Sequence, residues 1–217
     1  MTQWERMEAG LIYDPGDPAI MEVQTACLDR LYEFNHTRPS QGEERIALLK
    51  QMFASFGEGS WIEPPLRANW AGHFVHIGSY FYANAGLTLV DDGPITIGDQ
   101  VMIGPNVTIA TAGHPVAAEP RGLGLQYNKP VTIGRNVWIG AGAVILPGVT
   151  VGENTVIGAG SVVTGDLPAD VVAVGNPCRV LRPIGEKDRR CFFRGEEIDW
   201  ENVEPIMRKV SEARAKG

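Results

Sequence analysis

Cysteine is nearly missing from this sequence: Cys27, Cys178 and Cys191 are the only three in 217 residues. They make no even-numbered framework and no C-x-x-C pair, which leaves free thiols in a reducing, cytoplasmic setting as the expectation. Long apolar runs are missing as well. No stretch approaches the ~20 residues that a membrane span requires. The opening MTQWERMEAG carries no apolar block, so no secretory leader is expected. Basic charge is in deficit, 19 Lys and Arg against 26 Asp and Glu. The resulting net charge of -7 points away from nucleic acid or an anionic membrane as the main partner. What remains is an ordinary soluble composition, 44% hydrophobic and 21% charged, in a chain long enough to bury a core.

Along the chain three parts separate. Residues 1–57 read as helical. Thr2-Gln3-Trp4-Glu5 has the form of a capping box. Asp17-Pro18 sets an N-cap before a proline at the first helical position. Ile20, Val23, Cys27, Leu31 and Phe34 then follow one helix face. Ser40-Gln41-Gly42-Glu43 has the form of a second capping box, leading into Ile46, Leu49, Met52, Phe53 and Phe56. Such amphipathic helices must cover something, and an exposed end of the next part is the candidate.

From residue 58 to 183 a six-residue period takes over. From Ile97 the sequence divides into IGDQVM, IGPNVT and IATAGH, and from Ile133 into IGRNVW, IGAGAV, ILPGVT, VGENTV, IGAGSV and VTGDLP. A 3.6-residue helical period cannot keep every sixth side chain on one side. A flat-sided coil can, with three short strands per eighteen-residue turn and one aliphatic side chain per strand pointing inward. Ile133 should stack on Val151, Ile139 on Ile157 and Ile145 on Val163. The small second position suits a corner that strains a larger residue. Ile77, Ala83 and Leu89 extend the register upstream, broken by an insertion around Asp91-Asp92-Gly93-Pro94. A fold alternating strands and helices has nowhere to place helices between strands as short as Val131-Thr132-Ile133.

The period lapses between Ile109 and Ile133. An additional coil would turn Pro115, Arg121 and Tyr127 inward, and an unpaired buried arginine is too costly. Residues 111–130 are therefore expected to leave the coil as an extruded loop that adds little to stability, and long ordered loops on rigid scaffolds tend to carry function. The third part, residues 184–217, is highly charged over 186–195. It ends in a helix striped by Val203, Ile206, Met207 and Val210, with Pro205 in its first turn. Docking and fraying of that helix are both open.

The hexads resemble those of the hexapeptide acyltransferases, which implies a mainly β architecture: a left-handed parallel β-helix with an N-terminal helical segment and a short C-terminal helix. Narrower motifs are Tyr32-Glu33-Phe34-Asn35-His36, Ile62-Glu63-Pro64-Pro65, Phe81-Tyr82-Ala83-Asn84, Gly113-His114-Pro115, Asn136-Val137-Trp138-Ile139-Gly140 and Gly175-Asn176-Pro177-Cys178-Arg179-Val180. Together, from about Glu5 to Arg182, they look like the galactoside and maltose acetyltransferases. That resemblance implies acetyl-CoA as co-substrate, a sugar hydroxyl as acceptor and a homotrimer with sites between subunits.

It also implies roles. His114, at the root of the loop, would be the general base, since an imidazole titrates close to working pH and can relieve a hydroxyl of its proton. No serine or cysteine stands in a nucleophile arrangement, so direct transfer is expected rather than an acyl-enzyme. Asn69, Asn84 and Asp92 match acceptor-binding positions, although Asn69 departs from the more usual Asp or Ser. Asp17 or Asp14 would add an N-terminal carboxylate, and Asp17 could equally be only a helix cap. Trp138 matches a tryptophan beside the thioester. Ala141 and Ala159 line the expected pantetheine groove, and Thr164, Arg179 and Arg182 match contacts to the phosphate end. Gly165 stands where a lysine is common and Ala141 where a serine is frequent.

Other readings of the repeat are a metal-dependent carbonic anhydrase, a non-catalytic scaffold, and a xenobiotic or serine acetyltransferase. The first needs three histidines. Only four exist, and His73 and His76 would point to opposite faces of a strand, so no metal is expected. The second has no use for G-H-P or the loop.

Overall fold

The computed structural model describes residues 1–215. Three helices open the chain: α1 (Gln3–Glu8), α2 (Pro18–Asn35) and α3 (Gly42–Met52). Thr2 and Glu5 close the capping box, and Asp17 caps α2 ahead of Pro18. In α2, Ile20, Cys27, Leu31 and Phe34 are buried, but Val23 lies at the edge of the stripe and is exposed. The box expected at Ser40 does not form. Gln41 takes the N-cap position, its Oε1 accepting from the Arg38 backbone N–H instead of capping the helix, and α3 starts one residue later than that box requires. Phe56 falls beyond the helix, in the first strand, Ser55–Phe56.

The strands stack into a three-sided parallel β-helix. One face holds Ser55–Phe56, Val75–Ile77, Ile95–Ile97, Val131–Ile133 and Thr150–Val151. The second runs Trp61–Ile62, Tyr82–Ala83, Met102–Ile103, Trp138–Ile139, Val156–Ile157 and Val171–Val174, and is finished by the antiparallel strand Arg179–Pro183. The third holds Arg67–Ala68, Thr88–Val90, Thr108–Ala110, Val144–Ile145 and Val162–Val163. Ile133 pairs with Val151, Ile139 with Ile157 and Ile145 with Val163, and these inward side chains are buried.

Register also locates both interruptions. Ile97 pairs with Ile133 and Ile109 with Ile145, so one coil's length of chain leaves the stack between them. Ile77 pairs with Ile97, twenty residues on, so the insertion at Asp91–Pro94 amounts to two residues.

The glycine at the second hexad position has a different reason from the one its place at a corner suggests. Its backbone is not left-handed; the next coil simply passes too close. A Cβ on Gly140 would lie 2.5 Å from the Ala159 backbone nitrogen. The left-handed corner residue is the fourth, filled by Asn136 (φ 58°), Asn154 (φ 59°) and Gly142 (φ 67°), residue types that tolerate that conformation.

The extruded loop is itself ordered. Ala112–Gly113 pairs antiparallel with Tyr127–Asn128, and α4 (Ala118–Gly122) forms its tip. After the last coil come α5 (Glu186–Arg190), a hairpin of Cys191–Phe193 with Glu196–Glu197, and α6 (Trp200–Arg214). Asp199 caps α6, so Pro205 sits inside the helix rather than in its first turn. The end of α6 docks: Tyr80 Oη donates to the Arg214 carbonyl at 2.6 Å, and the Arg214 guanidinium lies 4.6 Å from the Tyr80 ring centre. Ile206, Met207 and Val210 on its stripe stay exposed.

Candidate active site

The corner between the third face and the first gathers the polar groups. Asn69, Asp92 and the loop root at Thr111 follow one another on three successive coils at this corner, each just after a strand of the third face. The two-residue insertion is what makes room for paired carboxylates. Asp91 turns inward and accepts from the backbone N–H groups of Trp70 (2.8 Å) and Gly72 (2.7 Å). Burial nevertheless pushes its pKa up to about 6. Asp92 accepts from Asn69 Nδ2 at 2.8 Å and Trp70 Nε1 at 3.3 Å, which fixes the carboxylate in place.

The root of the loop is pinned from the N-terminal segment. Tyr13 and Gln126 exchange backbone hydrogen bonds of 2.9 and 3.0 Å. The buried Tyr13 hydroxyl accepts from Gln126 Nε2 (2.6 Å) and Asn128 Nδ2 (3.3 Å), and Asn128 Nδ2 also donates to the Asp92 carbonyl (2.6 Å). Burial raises the Tyr13 pKa to about 12, so the phenol stays neutral. The expectation that the loop adds little to stability therefore fails at its base: Thr111, Gln126 and Asn128 are all buried. Tyr13, Gln126, Asn128 and Asp91 escaped the sequence reading. Their only signals were the Asp91-Asp92 doublet and the polar alternation of Gln126 and Asn128.

His114 projects from this pinned root. Its Nδ1 lies 2.8 Å from the Leu125 carbonyl oxygen. A carbonyl can only accept, so Nδ1 carries the proton and, in the neutral ring, the lone pair is on Nε2. The ring is exposed. Helix α2 reaches the same corner, where Gln24 Nε2 donates to the Asn69 carbonyl at 3.1 Å. At its start Asp17 Oδ1 caps the Ala19 N–H (3.0 Å), while Asp14 Oδ1 closes a turn onto Gly16 (2.8 Å).

The other assigned residues lie elsewhere on the prism. Asn84, Ala141 and Ala159 occupy the corner between the second and third faces, with Gly160 N–H donating to the Ala141 carbonyl at 2.8 Å. Trp138 stands outward on the second face, 53% exposed. Thr164 follows the last strand of the third face. Arg179 and Arg182 lie on the antiparallel strand, where the Arg182 fork is already engaged by both oxygens of Asp188, at 2.7 Å each. That ion pair holds the Asp188 carboxyl down at about 2. Of the assigned set, then, one chain brings Asn69, Asp92 and His114 to one corner and Asn84, Ala141 and Ala159 to another, with Trp138, Arg179 and Arg182 along the second face and Thr164 at the end of the third. Among the described residues no three His, Cys, Asp or Glu side chains gather as metal ligands. No described helix is long and apolar enough to cross a membrane.

A β-helix built of hexads, capped by helices and carrying a histidine-bearing loop, defines a hexapeptide-repeat acyltransferase. Residues 6–57 match the maltose acetyltransferase hexapeptide capping motif and residues 130–165 the bacterial transferase hexapeptide. The chain is 48% identical to the galactoside O-acetyltransferase of Escherichia coli (strain K12) over 92% of its length and 98% of the relative's. A solved structure of a galactoside acetyltransferase in complex with coenzyme A is 48% identical, with a TM-score of 0.89 over 92% of this chain and 99% of that one. A maltose O-acetyltransferase from Clostridium difficile 630 is 45% identical, with a TM-score of 0.83 over 86% and 99%. The chain belongs to the galactoside and maltose O-acetyltransferase family.

Proposed function

We propose that this protein moves an acetyl group from acetyl-CoA to a hydroxyl of a sugar by direct transfer, in sites formed between the subunits of a homotrimer. One observation carries the chemistry: the Leu125 carbonyl holds His114 with its proton on Nδ1, leaving Nε2 to act at the corner where Asn69 and Asp92 stand. Nε2 takes the proton of the acceptor hydroxyl as its oxygen bonds to the thioester carbonyl carbon. When the carbon–sulfur bond breaks, the same proton passes to the departing thiolate. General-base assistance of this kind contributes about 10²–10⁴-fold. Asp92, held by Asn69 and Trp70, and the oxygen of Asp17 not used for capping would accept from the sugar's other hydroxyls. Asn84 would serve as a further acceptor ligand.

The placement of the residues supports the trimer. Side-by-side prisms bring the His114 corner of one copy toward the Asn84, Trp138, Ala141 and Ala159 corner of the next, so each site is completed by two chains. Thr164, Arg179 and Arg182 would then hold the phosphate end of the coenzyme. The relatives' names support sugar acetyl transfer, and the solved complex supports coenzyme A as the carrier.

Replacing His114 with Ala should lower kcat by about 10²-fold or more while coenzyme binding and the unfolding midpoint stay as in the wild type. Near-normal turnover in that folded variant overturns the assignment.

A further inference from the structure

Leu125 is joined to Gln126 by one peptide unit, a rigid plane whose carbonyl and N–H point opposite ways. Both ends of this unit are occupied. The Leu125 carbonyl accepts from His114 Nδ1 at 2.8 Å, and on the other side the Gln126 N–H donates to the Tyr13 carbonyl at 3.0 Å. The Tyr13 N–H returns a bond of 2.9 Å to the Gln126 carbonyl, so the two residues form an antiparallel bridge. The bridge falls where the pairing of Ala112–Gly113 with Tyr127–Asn128 ends and His114 begins. The bonds also reinforce one another. A carbonyl whose own amide N–H is donating is the better acceptor, so the contact to Tyr13 strengthens the hold of Leu125 on the imidazole.

Tyr13 is in turn held by α1 and by the coil. Arg6 Nε donates to the Ile12 carbonyl at 2.6 Å, and Gln3 Oε1 accepts from the Asp14 N–H at 2.9 Å, so α1 grips the residues on either side of it. Its ring is buried, and its hydroxyl oxygen meets the Gln126 and Asn128 amides. Asn128 carries the connection on to the Asp92 carbonyl. A phenylalanine would fill the same space; what the hydroxyl adds is an acceptor for two amide donors of the loop root. The His114 ring is exposed, so packing does little to orient it. We infer that Tyr13 is a positioning residue for acetyl transfer: it sets the Leu125–Gln126 peptide plane, and that plane fixes the His114 ring with its proton on Nδ1 and Nε2 free toward the acceptor. The inference rests on the reading of His114 as general base.

The test places Tyr13→Phe in the full chain, alone and in a His114→Ala background, and reads thiol release from acetyl-CoA with methyl galactoside and maltose as acceptors. In the background that keeps His114, kcat should fall about tenfold, the effect of a slightly misplaced base, while KM for acetyl-CoA stays unchanged. In the His114→Ala background the same substitution should change the residual kcat by less than about twofold, because the group it positions is gone. A merely structural role would lower both backgrounds alike. Should Tyr13→Phe not fold, Gln126→Leu, which removes the nearer amide donor at almost constant size, is read in the same way. Unchanged kcat, or an equal loss in the two backgrounds, overturns the positioning role alone. A wild type inactive on both acceptors, or a His114→Ala variant as fast as the wild type, overturns the parent reading and this one with it.

Discussion

Asp91 is a carboxylate taken out of water and given two backbone N–H groups in exchange. Those bonds favour the ionised form, yet burial prevails and the folded pKa sits near 6, about two units above an unfolded aspartate. The folded state therefore binds more protons than the unfolded state between about pH 4 and pH 6. Stability contributed by this group is full below that window and is lost as pH rises through it, by at most about 3 kcal/mol. Urea unfolding of wild type and Asp91→Asn at pH 4 and pH 7 should show the wild type losing ground against the variant as pH rises. The opposite slope would mean that the ionised carboxylate is the form the fold prefers. Neither this nor the tautomer of His114 was legible in the sequence. Asp91 and Asp92 are neighbours of one kind, and only the backbone decides which one turns inward; likewise Leu125 lies eleven residues from His114 and meets it only because the loop folds back.

Elements were legible where a periodic inward side chain dictates them. Ile133, Ile139 and Ile145 announce their strands, and the failure of Pro115, Arg121 and Tyr127 to fit the same slots announces the loop. What stayed hidden was the loop's division into a structural base and a free tip. Gln126 and Asn128 look like ordinary loop residues until Tyr13 arrives from the far end of the sequence, while Val116 and Leu123 near the tip are 92% and 78% exposed. Helix starts were read correctly at Thr2 and Asp17 and wrongly at Ser40, because a capping pattern records local options and Gln41 had a competing partner in Arg38. Replacing 117–123 with a short Gly-Ser turn should leave assembly and unfolding temperature close to wild type, since no buried side chain is removed. The same change should raise KM or lower kcat, because α4 springs from the strand pair that carries His114 and would help exclude water there. Loss of the fold would show that the tip, too, is structural; full activity on every acceptor would show that His114 works in an open site.

For the whole molecule, the second face carries a solvent-facing column in which Tyr82, Met102 and Trp138 are 39%, 48% and 53% exposed on adjacent rungs. In the proposed trimer this strip would be the contact surface, and its nearness to the coenzyme corner is what a shared site would require. Light scattering should give about three times the chain mass of 23.5 kDa. Trp138→Glu should shift the distribution toward monomer and remove activity with it. A fully active monomer would refute the shared site.

A stack of parallel rungs has two open ends, and each could in principle accept a rung from another molecule and grow into a filament. At one end α2 and α3 lie against the first coil. At the other the chain reverses, and Arg179–Pro183 runs antiparallel to Val171–Val174 with a bulge between Val172 and Ala173. An incoming coil would meet a short edge of opposite polarity, bent out of register, bearing two arginines and ending in a proline that has no N–H to give. The reversal thus works as a terminator: it lets a repetitive sequence, whose every rung could template the next, stop at a defined length.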